Sequence, residues 1–235
     1  MGITHVVRGS EYLSSAPKYD LLYHAFGWEV PTYVHCSPVM RDAQNKMSKR
    51  HGDPSYEDLK AQGYLTEAIL NYVALLGWSP KGEYAEQEIF SLDELTKVFD
   101  MTGISKSPAI FDIAKLDHFN AVYLRAMEPA AFVKVAEPYI RQSVKGDFDI
   151  AAIAGLLQAR CEKLTEIPEK VDFFDACPEY GSDFFTNKKS KTNPEVCKTM
   201  LEAAIPMLEH LPDWTTDTIH DSLIALAEQL GVKNA

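Results

Sequence analysis

The chain has 235 residues, 46% of them hydrophobic, and carries a formal net charge of −11. This length and hydrophobic content are sufficient for one large or two modest folded domains. The acidic balance excludes a uniformly basic nucleic-acid-binding surface, although basic residues are clustered at 46–51 and 188–191, where local positive surfaces can form.

The cysteines and the apolar segments indicate the cellular compartment. Four cysteines occur without a C-x-x-C pair and without histidine at the spacing of a zinc site, so we expect reduced thiols and no bound metal. No apolar run approaches the ~18 residues of a membrane span, and the N-terminus lacks the pattern of a signal peptide. These features predict a cytoplasmic protein.

The first 36 residues have the pattern of a strand, a helix and a second strand. Residues 3–8 and 32–36 are rich in β-branched and apolar side chains. Between them, Ser15 and Pro17 are typical of a helix start, and Gly27 predicts the helix end. This length is typical of a parallel β-α-β crossover, which normally lies within a larger sheet covered on both faces. Because two strands cannot bury such a sheet, we expect that further strands precede residue 1 in a longer protein.

Residues 46–52 read Lys-Met-Ser-Lys-Arg-His-Gly, a segment that we call the basic loop. Lys and Arg supply positive charge and hydrogen-bond donors, Ser48 adds a hydroxyl, and Gly52 permits a tight backbone turn. This mixture suits a mobile loop that follows a polyphosphate as charge moves during a reaction. Composition alone favours a solvated basic turn, because short basic runs are common on protein surfaces.

The region after the basic loop has helical periodicity. Apolar side chains between residues 55 and 76 predict two helices that separate at Gly63, and a third helix begins at Ser91. Short helical pieces are predicted over 110–116 and 119–124.

From residue 129 onward the pattern is wholly helical, which predicts a boundary near 126–130 followed by a helical bundle. The predicted helices span 129–139, 150–164, 168–174, 194–208 and 216–230.

Four further segments accompany the basic loop: THVVRG at 4–9, LLYHAFGW at 21–28, LNYVALLGWSP at 70–80 and SKSPAIFD at 105–112. In this order the five segments resemble class I aminoacyl-tRNA synthetases and, within them, the bacterial glutamyl-tRNA synthetases. The KMSKS-type signature of that family often reads K-L/I/M-S-K-R-H-G, and residues 46–52 match it at each position.

The resemblance implies a mainly α-helical fold with three parts. Residues 1–52 resemble the second half of a Rossmann-like α/β catalytic domain, residues 53–126 a helical stem-contact domain, and residues 127–235 an incomplete helical anticodon-binding domain. Family members carry an H-I-G-H signature before this point, which the sequence lacks, and continue past residue 235. We therefore expect a fragment of a longer enzyme.

The resemblance also implies a reaction. The family activates glutamate with ATP, in the presence of Mg²⁺, and transfers the glutamyl group from the adenylate to the 3′ end of glutamate tRNA. The parent is expected to be a monomer, and this chain is expected to be inactive alone. The alternative is a non-catalytic tRNA-binding or partner-binding module derived from a synthetase.

Within the basic loop, the resemblance makes Lys49 the main catalytic candidate, because it matches the second Lys of the signature. Its ammonium would stabilise negative charge on the α- and β-phosphates as pyrophosphate leaves. Lys46 and Ser48 would support the loop, with Arg50 close by.

The resemblance places the substrate-binding candidates at the end of the first strand. Arg8 would bind the carboxylate of glutamate in bidentate fashion, and the alternative is a structural ion pair with Glu11. Glu11 and Tyr12 would line the pocket for the amino acid and ATP.

The candidates for tRNA binding lie in the helical region. The resemblance suggests Gln158 and Arg160 for the anticodon loop. Residues 183–192 combine paired Phe side chains with Lys188, Lys189 and Lys191, a mixture that can stack bases and pair with phosphates. An exposed loop pinned to the core by the two Phe side chains is the alternative.

Overall fold

The computed structural model describes residues 2–176 and 179–232. These residues form two compact units, which divide between residues 176 and 177.

The first unit begins with a parallel β-α-β arrangement. Strands β1 (His5–Gly9) and β2 (Thr32–Cys36) pair in parallel, with His5 opposite Thr32 and Gly9 opposite Cys36. Helix α1 (Ala16–Ala25) connects them, has a Pro in its first turn, and is followed by Gly27 at φ +66°. The sequence pattern predicted this arrangement. The parallel register brings the C-terminal ends of both strands to the same edge.

A second pair of strands was not predicted. Strand β3 (Val39–Met40) pairs in parallel with β4 (Ala109–Ile110), which lies much later in the chain. Two-residue strands are too short to show an alternating pattern in the sequence. Their pairing anchors the chain immediately before the basic loop.

Four helices follow in the middle of the first unit: α2 (Tyr56–Ala61), α3 (Thr66–Gly77), α4 (Leu92–Val98) and α5 (Ile113–Ala126). The predicted break at Gly63 separates α2 from α3, and capping boxes begin α2 and α4. The prediction of two pieces over 110–116 and 119–124 was wrong. Asp112 caps a single helix, and no Gly or Pro between residues 113 and 126 interrupts it.

Three helices complete the first unit: α6 (Pro129–Ser143), α7 (Ile150–Gln158) and α8 (Ile167–Lys170). Helix α7 ends before the predicted residue 164, because the chain turns there to bury Cys161 and Leu164. The predicted helix over 168–174 is α8 followed by a 3-10 turn at Asp172–Phe174. None of the helices in the described part of the chain is both long and apolar enough to cross a membrane.

The predicted boundaries after residues 52 and 126 both lie inside the first unit. Leu124 of α5 belongs to the same buried cluster as the inner faces of α6 and α7. The side-chain amide of Asn120 accepts a hydrogen bond from the backbone N–H of Leu65 at 2.8 Å and donates to the carbonyl of Glu162 at 2.6 Å. The shared cluster and the Glu162 contact join the middle helices to the region of α6 and α7 within one compact unit.

The second unit contains a 3-10 turn at Ser182–Phe185 and the helices α9 (Pro194–Glu209) and α10 (Thr216–Gln229). Side chains of Asn193 and Thr215 cap the two helices. Both helices agree with the prediction to within one residue.

Candidate functional site: the basic loop and the end of the first strand

A tight turn leads from β3 into the basic loop. The backbone N–H of Arg41 donates to the carbonyl of Asn45 at 2.8 Å, and that of Met47 donates to Val39 at 3.1 Å. The carboxylate of Asp42 accepts the Asn45 side chain and two backbone N–H groups of the turn. These hydrogen bonds, first that of the Asn45 side chain, lower the pKa of Asp42. Residues 41–45 therefore form a self-contained turn that returns the chain to Lys46.

Ser48 is the centre of the hydrogen bonds in the basic loop. Its N–H donates to Oδ2 of Asp53 at 2.7 Å, and its hydroxyl oxygen accepts the N–H of Arg50 at 3.3 Å. Its carbonyl accepts the N–H groups of His51 at 2.9 Å and Asp53 at 3.4 Å. The loop therefore closes as one 3-10 turn at Lys49–His51, followed by Gly52 at φ +82°. At this value of φ, Gly is the residue with the least strain.

The cationic side chains of the loop point outward. Lys46, Lys49, Arg50 and His51 are all exposed. Lys49 also lies close enough to the start of α2 for its charge to contribute to the low pKa of Asp58, which the backbone N–H and hydroxyl of Ser55 lower more strongly. A dense group of exposed donors on a closed backbone turn can bind a polyanion with little reorganisation.

Arg8 lies at the end of β1, against two aromatic rings. Its Cζ is 4.9 Å from the ring centroid of Tyr12 and 5.4 Å from that of Tyr19. The alternative ion pair with Glu11 is not formed, since no carboxylate of the described residues lies within 4.0 Å of the guanidinium. The Glu11 carboxylate instead folds back over Gly9. Arg8 and Tyr12 are thus brought together, whereas Glu11 faces elsewhere.

An apolar cavity of about 420 Å³ lies between one face of β1 and β2, the end of helix α3 and residues 99–109. Its lining includes Val7, Val34, Trp78 and Phe99. It contains none of the predicted site residues.

Gln158 and Arg160 have different environments. The side-chain amide of Gln158 donates to the carbonyls of Leu124 at 3.0 Å and Met127 at 2.8 Å, so its N–H groups close the end of α5. Arg160 is exposed and lines an open pocket of about 390 Å³ with Lys170 and Phe173.

In the second unit, the three predicted lysines lie on one turn. Asn187 and Thr192 exchange backbone hydrogen bonds at 3.2 and 3.1 Å, and the Asn187 side chain accepts the N–H of Lys189. Within the same unit, the ring of Phe184 is 68% exposed and stacks on Tyr180 at 4.4 Å. Phe184 therefore does not pin the turn to a core.

Sequence reasoning missed Asp53, whose carboxylate closes the basic loop. Its only signal was an Asp directly after the motif, and Asp is common in turns for many reasons. Among the described residues, no group of three or more His, Cys, Asp or Glu side chains could hold a metal ion. We therefore derive no step through a metal bound by these residues.

Comparison with known families identifies two matching regions of the chain. Residues 1–118 match the family described as "tRNA synthetases class I (E and Q), catalytic domain", and residues 131–235 match an "Anticodon binding domain". The chain belongs to the class I tRNA synthetases of this E and Q family.

Two proteins that are similar to this chain are both glutamate-tRNA ligases. The chain is 54% identical over 234 residues to the glutamate-tRNA ligase of Clostridium tetani and 50% identical over 235 residues to that of Clostridium acetobutylicum. Each match covers 100% of this chain and 47% or 48% of the relative, so the chain spans about half the length of the curated relatives it matches.

Two solved structures are similar to this chain in fold. The crystal structure of a glutamate tRNA ligase from Elizabethkingia meningosepticum, in complex with its amino acid, is 32% identical and has a TM-score of 0.77. That match covers 98% of this chain and 49% of the other. A glutamate-tRNA synthetase from Elizabethkingia anophelis is 30% identical and has a TM-score of 0.73.

Proposed function

We propose that the whole protein to which this chain belongs is a glutamate-tRNA ligase. It activates glutamate with ATP, releases pyrophosphate, and transfers the glutamyl group to the 3′ end of glutamate tRNA. The observation that carries this proposal is the similarity to glutamate-tRNA ligases over the full length of the chain, with the basic loop included. Mg²⁺ enters with ATP, and the protein acts in the cytoplasm as a monomer.

In this proposal, each of three segments of the chain has its own role. Residues 1–52 complete the catalytic domain, residues 53–126 contact the tRNA stem, and residues 127–235 belong to the anticodon-binding domain. Hydrogen bonds between residues 53–126 and residues 127–176 support a fixed relation between these two parts of the first unit.

In the catalytic step, Lys49 stabilises the negative charge that develops on the α- and β-phosphates of ATP. Lys46 and Arg50 add positive charge, and Ser48 supports the turn through its backbone and hydroxyl. The outward direction of the cations and the closed backbone of the turn support these roles.

Arg8 binds the carboxylate of glutamate, and Tyr12 holds the guanidinium in place through its ring. Glu11 does not take part in this contact, because its carboxylate folds back over Gly9. The absence of an Arg8–Glu11 ion pair supports this role for Arg8, because its N–H donors are then not engaged by that carboxylate.

Arg160 and the turn that carries Lys188, Lys189 and Lys191 contact tRNA. Gln158 does not take part directly, because both N–H groups of its side chain bind carbonyls at the end of α5. It instead supports the helix that leads to Arg160.

The test is a charging assay with the full-length protein, ATP, glutamate and tRNA. Glutamyl-tRNA formation that depends on all components is expected. The 235-residue chain alone, whose sequence has no H-I-G-H signature, is expected to show no glutamate-dependent pyrophosphate exchange in the presence of tRNA. Failure of the full-length protein to charge glutamate would refute the proposal.

The second candidate function is a tRNA-binding module without catalysis. The observation that favours it is the exposed aromatic and lysine-rich surface of the second unit. A full-length protein that binds glutamate tRNA but releases no pyrophosphate would establish it.

A further inference from the structure

The carboxylate of Asp53 contacts both the basic loop and the turn that precedes it. Oδ2 accepts the backbone N–H of Ser48 at 2.7 Å, while Oδ1 lies 3.7 Å from Nε of Arg41. Only 11% of the Asp53 side chain is exposed, compared with 41% for Arg41. Both oxygens therefore have partners, and one of them is the backbone of the loop itself.

This hydrogen bond holds the backbone N–H of Ser48, the residue directly before Lys49. Residues 48–53 form a ring: Asp53 accepts the N–H of Ser48 through its side chain and donates its own N–H to the carbonyl of Ser48 at 3.4 Å. Lys49 is the residue directly after Ser48, so its Cα position follows the orientation of that peptide. Removing the Asp53 carboxylate releases the N–H of Ser48, while the carbonyl of Ser48 still accepts the N–H groups of His51 and Asp53.

We propose that Asp53 is a positioning residue for the basic loop, which holds the Ser48 backbone so that Lys49 meets the phosphates of ATP in the transition state. This proposal rests on the proposed function of the basic loop. Asp53 touches neither substrate nor reacting atoms. Its effect belongs to the catalytic rate rather than to ATP affinity, because a correctly placed charge acts most strongly when charge develops on the phosphates.

Asp42 is a matched control, since it is a second carboxylate beside the same loop. Its oxygens accept hydrogen bonds from Gln44 and Asn45, all within the preceding turn. Removing Asp42 therefore disturbs a neighbouring turn without opening the ring of residues 48–53.

The experiment measures charging kinetics of the full-length protein with four variants: Asp53→Ala, Asp53→Asn, Asp42→Ala and Lys49→Ala. Asp53→Ala is expected to lower kcat about 10- to 100-fold with the KM for ATP within about threefold of wild type. Asp53→Asn retains an acceptor oxygen for the Ser48 N–H and is expected to recover most of the lost rate. Asp42→Ala is expected to charge at close to the wild-type rate.

Hydrogen exchange of the same proteins tests the structural step. Asp53→Ala is expected to raise exchange in peptides that cover residues 46–53, and Asp42→Ala is not. Unchanged thermal midpoints would show that each variant is folded. If Asp53→Ala fails to fold, the rate and exchange of Asp53→Asn provide the test.

The outcomes separate the two proposals. If Lys49→Ala is inactive while Asp53→Ala matches wild type in rate or in exchange, the positioning role of Asp53 is wrong and the function of the loop stands. An equal decrease in kcat for Asp53→Asn and Asp53→Ala would also contradict the hydrogen-bond role of Asp53. If Lys49→Ala charges at the wild-type rate, the function proposed for the loop itself fails.

Discussion

Arg8 illustrates how neighbouring rings can prepare a charged side chain for a ligand. The guanidinium lies over the rings of Tyr12 and Tyr19 and forms no ion pair with Glu11. Cation–π contacts orient the planar group through its face and leave its N–H donors, which lie in the plane, available at the edge. Such an arrangement suits a bidentate carboxylate ligand.

Replacing Arg8 tests this role at the residue scale. Arg8→Ala in the full-length protein is expected to raise the KM for glutamate at least about tenfold, the effect of losing charged hydrogen bonds worth about 1.5–3 kcal/mol. Arg8→Lys is expected to restore little, because an ammonium cannot form the paired contact. The measurement is the charging rate at varied glutamate, with the KM for ATP as the internal control. An unchanged glutamate KM in Arg8→Ala would exclude the contact.

The residues of the candidate site were only partly predictable. The basic loop was identified because five segments occur together in family order, and the Gly52 turn followed from residue type. The Asp53 carboxylate was not identified, because its partner is a backbone N–H, and main-chain geometry leaves no signal in the sequence. Of the two rings over Arg8, Tyr12 was a predicted site residue, whereas Tyr19 was missed, because it belongs to α1 and only the fold brings it to β1.

At the scale of elements, the connection between α2 and α3 packs closely against the backbone of residues 164–165. Gly63 has φ +88°, and its carbonyl accepts the N–H of Leu164 at 3.2 Å. A Cβ at this position would lie 2.7 Å from the backbone N of Thr165 and 2.8 Å from that of Leu164. Both the backbone conformation and the close approach require glycine here.

Gly63→Ala is therefore expected to destabilise the protein. The left-handed conformation alone costs about 1–3 kcal/mol for a residue with a side chain, and the contact with the 164–165 backbone adds to it. Thermal unfolding should show a midpoint lower by several degrees, at about 2–4 °C per kcal/mol.

Gly155→Ala is the control within the same unit. Gly155 lies inside α7, and a Cβ there meets no atom within 4 Å. Alanine in a helix interior is expected to leave stability unchanged or raise it by about 0.5–1 kcal/mol. Equal midpoints for the Gly63 and Gly155 variants would show that the close contact has no energetic consequence.

Elements with a strong local signal were predicted, and those that depend on distant partners were not. The helices α9 and α10 follow from Pro, capping residues and apolar periodicity over many residues. The pairing of β3 with β4 could not be predicted, because each strand has two residues and its partner is remote in sequence. The end of α7 was misplaced, because burial of Cys161 outweighs the local helical pattern.

For the whole molecule, charge distribution matters more than net charge. The chain is acidic overall, at −11, yet Lys188, Lys189 and Lys191 share one turn of the second unit. Phosphate contacts by such lysines release counterions, so binding that depends on them weakens steeply with salt.

The double substitution Lys188→Gln with Lys189→Gln is expected to weaken tRNA binding by the full-length protein. The slope of log K against log salt should become shallower by about 2, or about one for each lysine. Gel-shift titrations at several salt concentrations measure both effects. The matched control is Lys18→Gln with Lys134→Gln, two exposed lysines outside this turn. Identical slopes for the two double variants would contradict a specific role for the turn.

The central claim is that the basic loop stabilises the phosphates of ATP during glutamate activation. The most direct test compares Lys49→Ala with Lys134→Ala, an exposed lysine of α6, in the glutamate-tRNA charging assay of the full-length protein. We predict that Lys49→Ala lowers kcat about 10²- to 10³-fold, as expected for loss of a transition-state charge contact, while Lys134→Ala matches wild type. Wild-type kcat in Lys49→Ala would contradict the claim.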